Sequence, residues 1–116
     1  MRRGEIRLVN LDPVVGSEAN KRRPAVIISN DQATLQATVL GRGVVTVVPL
    51  TSNTEKIYLF QVALPKGRTG LKKDSKTQAE QIRSLDVTRI GPMLGMVPPD
   101  LMAEIDETLK LQLGLG

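Results

Sequence analysis

The sequence contains no cysteine and no histidine. Disulfides and thiolate chemistry are therefore excluded, and the commonest metal ligand, which is also the usual acid/base group at neutral pH, is missing. Any reaction must run on other side chains, with neither a metal nor another cofactor expected. Aromatic residues are almost absent as well, with one Tyr, one Phe and no Trp among 116 residues. No apolar run approaches the ~20 residues that cross a bilayer. The basic start Met1-Arg2-Arg3-Gly4-Glu5 lacks the apolar stretch of a signal peptide. A cytoplasmic protein with no membrane partner is expected, one domain long and with a single core.

What is present is positive charge, unevenly placed. Residues 1–91 carry 15 Lys/Arg against 8 Asp/Glu (+7), and residues 92–116 carry 1 against 4 (−3). A basic body suits a polyanion, because Lys/Arg neutralisation of phosphates supplies most non-specific affinity for nucleic acid. A solvated basic surface is the plainer alternative.

Residues 5–11 alternate polar and apolar, as a half-buried strand does, and residues 12–22 form a loop too long for a tight turn, a candidate lid. Residues 24–29 predict a central strand, and Ser29-Asn30-Asp31 a cap on a short helix broken by Gly41-Arg42-Gly43. Residues 43–50 are dense in β-branched side chains and predict the strongest strand, with Pro49 forcing a bend or an edge. Residues 58–64 read as another strand, placing Tyr58 and Phe60 on one side, in the core. Residues 65–70 read as a glycine-rich basic loop, and residues 76–83 as an unusually polar strand that should face a ligand or partner. One helical turn at 85–90 and a last strand at 91–97 follow. Pro98-Pro99-Asp100 opens the one long helix, with Leu101 or Met102, Ile105, Leu109 and Gln112 or Leu113 on its apolar face and Gly114 ending it. The order predicts a mainly β fold with a C-terminal α-helix, a small, curled, partly open β-barrel.

Arg23 stands where the cationic run Lys21-Arg22-Arg23 meets Pro24 and a buried strand, and Thr51 stands where the densest strand ends. If these strands are neighbours, a fixed guanidinium and a hydroxyl converge at one edge. That pair suits a phosphate, since the planar fork binds two oxygens and the hydroxyl donates a third hydrogen bond. The alternative is a surface cation and a turn residue. Lys66, Arg68, Lys72, Lys73 and Lys76, with Lys21 and Arg22, are candidate groove cations, while Gln78, Gln81 and Arg83 would either read bases or satisfy an interface.

Arg3-Gly4-Glu5-Ile6, Leu11-Asp12-Pro13 with Gly16-Ser17-Glu18, Arg23-Pro24-Ala25-Val26-Ile27-Ile28-Ser29, Val48-Pro49-Leu50-Thr51-Ser52 and Glu80-Gln81-Ile82-Arg83-Ser84 resemble, in order and spacing, the MazF/PemK-type toxins of bacterial toxin–antitoxin systems. The resemblance covers essentially the whole chain. It implies an SH3-like barrel that forms a homodimer, cleaves single-stranded RNA sequence-specifically without metal, and is held inactive by a cognate acidic antitoxin. The arginine of the Arg-Pro pair and the threonine after the third strand carry cleavage in such toxins, and they match Arg23 and Thr51; Ser52 joins the RNA-binding set. The implied reaction is attack of the ribose 2′-OH on the adjacent phosphate, giving a 2′,3′-cyclic phosphate and a 5′-OH. Such a reaction needs positioning and anion stabilisation rather than an external nucleophile, which agrees with the missing Cys and His. Glu18 and Glu80 are candidate bases. Two departures stand out: Arg7 occupies a place that is aromatic in many relatives, and Gln78 and Glu80 stand where some members use an arginine and an aspartate. A non-enzymatic toxin that binds DNA gyrase on the same barrel, or a plain SH3-like interaction module, are the competing readings. With two aromatics, base-edge hydrogen bonding and a basic groove are expected to dominate over base stacking.

Overall fold

The computed structural model describes residues 1–11 and 22–116. The expected lid over 12–22, with Glu18 and Lys21, lies outside the described residues apart from Arg22. Among these residues seven strands and three α-helices follow in chain order: β1 (Glu5–Asn10), β2 (Arg22–Ile27), α1 (Asp31–Leu40), β3 (Val44–Thr51), β4 (Ala63–Leu64), α2 (Lys66–Thr69), β5 (Ser75–Thr77), β6 (Arg83–Asp86), β7 (Ile90–Met96) and α3 (Pro99–Gln112). They form one antiparallel, curled sheet in the order β4-β5-β3-β2-β1-β7, with β6 also pairing β3. This is the mainly β, partly open barrel with a C-terminal helix that the sequence predicts.

β3 organises the sheet. One of its edges pairs β2, and its other edge pairs β6 at Val44 to Val47 and then β5 at Leu50 and Thr51. Pro49, which has no N–H to donate, sits in the gap where one partner gives way to the other. The strand is therefore not at a sheet edge there; the switch of partner absorbs the missing donor. Curling continues at β1 and β7, whose register shifts twice.

Alternation along the central strands sends side chains to both faces, so two apolar clusters form rather than one core. Ile6, Val26, Val48 and Leu50 face α3 and pack with Leu101, Ile105 and Leu109. Val9, Ala25, Ile27, Val45 and Val47 fill the other face with Ala37 of α1. The apolar face of α3 stops at Leu109, since Gln112 and Leu113 are exposed. α1 is longer than the expected short segment; the Asn30 side chain caps it by accepting from Ala33 N–H at 2.8 Å, and Gly41 closes it at φ 66°.

The Arg3-Gly4-Glu5 motif is a clamp. Arg3 donates from its backbone N–H to Asp31, from Nε to the Ile28 carbonyl and from Nη2 to Asp106 at 2.7 Å, tying the segment just after β2 to α1 and α3. Arg7, in place of an aromatic ring, donates to Glu5 and to the Gly91 carbonyl, both at 3.1 Å.

Four expectations fail. Residues 58–64 are not a strand: Gln61 N–H donates to the Tyr58 carbonyl at 2.9 Å, closing a turn, and pairing begins only at Ala63. Tyr58 is consequently exposed rather than in the core, and Phe60 is only half-buried. Residues 76–83 are interrupted by a 3-10 turn at Ala79–Gln81, because Ala79 is buried and Gln81 N–H bonds locally to the Gln78 carbonyl. Residues 85–90 start as β6 and turn only at Val87–Arg89. Residues 65–70 wind into α2, capped by Gly70 at φ 84° and tied to α3 by Arg68 donating twice to Asp100 at 2.8 Å. No helix of the described residues is long and apolar enough to cross a membrane.

Candidate functional site

The register of β2 and β3 builds the site. The β2–β3 ladder runs from Ile27–Val47 to Ala25–Pro49, and just past its end lie Arg23 on β2 and Thr51 on β3. Arg23 Nη1 reaches across to the carbonyl of Leu50, the residue before Thr51. The two candidates thus converge for a reason that neither motif reveals by itself.

They line a cleft of about 410 Å³ between the β2–β3 end, the segment running from Gly70 to Ser75, and Leu94 of β7. Ser52, Lys72 and Lys73 line it too, whereas Leu50, Leu71 and Leu94 give it an apolar floor. Gly95 sets the far wall. A Cβ there would fall inside van der Waals distance of the Thr69 carbonyl oxygen, so only glycine lets β7 approach α2 this closely.

Arg23 is half-buried, and Nη1 donates to the Leu50 carbonyl and to Gln78 Oε1, both at 3.3 Å. Both acceptors are neutral. Nε is buried with no partner among the described residues. Burial pushes the guanidinium below its ordinary pKa, because the charged form loses water and gains no carboxylate among those contacts. Such a group is held in place by its contacts while its charge stays available to an anion. Thr51 Oγ1 accepts from Asn53 N–H at 3.2 Å, which leaves its proton to donate elsewhere.

The other candidates divide. Gln78 does not line the cleft but positions Arg23. Lys76 is 8% exposed; its Nζ donates to the Lys56 carbonyl, beneath Tyr58, so it is not a groove cation. Arg68 is paired with Asp100. Lys66 on α2, exposed Arg22, Gln81 in the 3-10 turn and Arg83 on β6 lie outside the cleft lining. The Glu80 carboxylate accepts from Gln61 Nε2 at 3.1 Å and also lies outside it. Among the described residues no three His, Cys, Asp or Glu side chains gather as metal ligands. Sequence reasoning missed Leu71, Ser75 and Leu94, whose role arises from packing between distant segments.

Residues 2–113 match the family described as PemK-like, MazF-like toxin of type II toxin-antitoxin system. The chain is 57% identical over 115 residues to a Mycobacterium tuberculosis protein named endoribonuclease MazF9, covering 99% of this chain and 98% of that one. Its fold is similar to MazF from Deinococcus radiodurans, with TM-score 0.79 and 30% identity over 98% of this chain and 96% of that one. A MazE–MazF crystal structure from the same organism is similar at TM-score 0.71 and 28% identity, over 98% and 95% of the respective chains. A match of this extent, on a barrel whose Arg-Pro and Leu-Thr-Ser motifs meet at one cleft, shows that the chain belongs to the PemK-like, MazF-like toxin family of type II toxin–antitoxin systems.

Proposed function

We propose that residues 1–116 form a single toxin domain acting as a MazF-type endoribonuclease, with single-stranded RNA cut in the Arg23/Thr51 cleft. The observation that carries this is the half-buried Arg23 guanidinium, bonded among the described residues to neutral oxygens and lining one cleft with Thr51. The 57% identity to a protein named endoribonuclease supports it.

In the proposed reaction the ribose 2′-oxygen attacks the adjacent phosphorus as it loses its proton, and the bond to the 5′-oxygen breaks. Products are a 2′,3′-cyclic phosphate and a 5′-OH. Arg23 neutralises the charge that builds on the non-bridging oxygens, and Thr51 donates a hydrogen bond to one of them. Arg23 also donates to the leaving 5′-oxygen, which departs as the 5′-OH. Glu18 is the proposed base, since Glu80 is engaged by Gln61. Ser52, Lys72 and Lys73 hold the flanking phosphates.

The partners follow the same reading. Exposed Met93 on β7 and exposed Leu111, Leu113 and Leu115 beyond the apolar face of α3 offer area to a second copy, and a homodimer is proposed. An acidic antitoxin segment, folding as it binds, would place carboxylates on the cleft cations and apolar residues on its floor. A MazE–MazF assembly among the similar structures supports this, and a cytoplasmic location fits both partners.

The test is cleavage of a mixed single-stranded RNA by purified protein in excess EDTA, with end-group mapping. Cyclic phosphate and 5′-OH ends that vanish in Thr51→Ala are expected. RNA left intact, or a 5′-phosphate end, refutes the proposal.

A further inference from the structure

The turn that follows the cleft carries an aromatic pair with no core to fill. Tyr58 and Phe60 stack with ring centroids 5.3 Å apart and planes 5° from parallel. Tyr58 is nevertheless 44% exposed, and Leu59 between them 92% exposed. Two rings stacked at the surface keep apolar area in water that core packing would remove. The turn is built rather than loose. Tyr58 N–H donates to Gln61 Oε1 at 3.1 Å, Gln61 Nε2 donates to Glu80, and Val62 N–H donates to Thr77 Oγ1 at 2.8 Å.

Cations surround the ring. Lys56 Nζ lies 4.7 Å and Lys76 Nζ 5.6 Å from the Tyr58 centroid. Lys76 is fixed, being buried and bonded to the Lys56 carbonyl, and its Cα is the strand partner of Thr51. The aromatic pair therefore stands one lysine side chain away from the cleft. Lys56 is exposed on a flexible stem and can leave the ring face for a phosphate.

We propose that Tyr58 and Phe60, flanked by Lys56 and Lys76, are a stacking subsite for an unpaired base of the RNA whose neighbouring phosphate sits at Arg23 and Thr51. The inference rests on the endoribonuclease reading and assigns the ring pair to substrate binding. A π-face accepts any base, so the subsite supplies affinity and registers the strand without choosing a sequence. RNA is favoured over a second protein copy as the occupant because the exposed Lys56 ammonium beside the ring would attract phosphate.

Tyr58 is the only tyrosine and there is no tryptophan, so intrinsic emission reports on this ring alone. A random-sequence single-stranded 2′-O-methyl RNA, which lacks the attacking hydroxyl, is titrated against an abasic oligomer of equal length and charge. Saturable quenching by the first and not by the second is expected. In cleavage of ordinary RNA, Tyr58→Leu should raise KM about tenfold with kcat within about twofold, and Tyr58→Phe should restore KM. Cleavage by the wild type with Tyr58 emission unchanged at saturation, or equal quenching by both oligomers, overturns the subsite alone. Emission that follows protein concentration instead of oligomer puts a second copy on the rings and also overturns it. A wild type that cuts no RNA overturns the parent reading, and the subsite with it.

Discussion

Replacing Arg23 separates catalysis from folding. Among the described residues its two hydrogen bonds, to the Leu50 carbonyl and Gln78 Oε1, are both 3.3 Å and go to neutral acceptors, so each contributes near the low end of ~0.5–1.5 kcal/mol. Nε is buried and has no partner among the described residues, a cost that Arg23→Ala removes. The expected loss of stability is therefore about 1 kcal/mol, a fall in Tm of about 4 °C for a chain of this size. The catalytic loss is far larger. Removing a preorganised donor from a developing oxyanion costs about 10²–10³ in kcat, ~3–4 kcal/mol. Arg23→Lys keeps the charge but loses the fork, and should fall between wild type and alanine. Gln78→Ala keeps the guanidinium but frees it, and displacement of a catalytic group by ~1 Å can cost about 10²-fold. Initial rates on a fluorogenic single-stranded RNA in EDTA, read beside thermal melts of each variant, give both numbers. Arg23→Ala with kcat within about threefold of wild type, or a loss equal to its unfolded fraction, refutes the assignment.

Three other outcomes are expected. Arg23, Lys72 and Lys73 at the cleft, with Lys56 beside Tyr58, should give log K against log salt a slope of about −3 on a non-cleavable single strand, and the double change Lys72→Ala and Lys73→Ala should flatten it to about −1.4; filter binding across salt concentrations decides. Ile105, fully buried on the inner face of α3, should lose about 2–5 kcal/mol as alanine in urea melts, whereas exposed Leu35 on α1 should change by less than about 0.5 kcal/mol. The Asp86 carboxylate lies below the usual range because the Thr88 N–H and hydroxyl donate to it at 2.9 and 2.7 Å. A folded-state pKa depressed in this way favours the native state above the unfolded value near ~3.9, and that contribution is lost as pH falls through the folded value. In an NMR titration Thr88→Val should raise the Asp86 pKa while leaving it below the unfolded value, since the N–H remains.

Legibility followed the range of the interaction. Residues 5–11 announced β1 through periodicity and residues 24–29 announced β2 through an apolar run, while Asn30 and Gly41 announced the ends of α1 through capping chemistry. Residues 58–62 misled because their β-prone side chains are overruled by Gln61, which closes a turn with its own backbone and amide and is held from Glu80, 19 residues away. Lys76 looked like a groove cation, yet its ammonium is spent on the Lys56 carbonyl. Neither partner is a neighbour in sequence, so no local pattern carries the signal.

By itself the sequence determined the chemistry available, since a chain without Cys or His must rely on Arg, Thr and carboxylates. It also determined the family, through motifs spaced along nearly the whole chain, and the apolar stripe of α3. Only the tertiary structure decided that Arg23 and Thr51 line one cleft, because strand register is set by pairing between distant segments and a slip of one residue would turn Arg23 to the opposite face. Only it decided that the cleft closes against Leu94, where Gly95 lets β7 approach α2, and that Tyr58 and Phe60 stand in the open. Local propensity shapes elements, but the surface left over when they pack is a property of the whole chain.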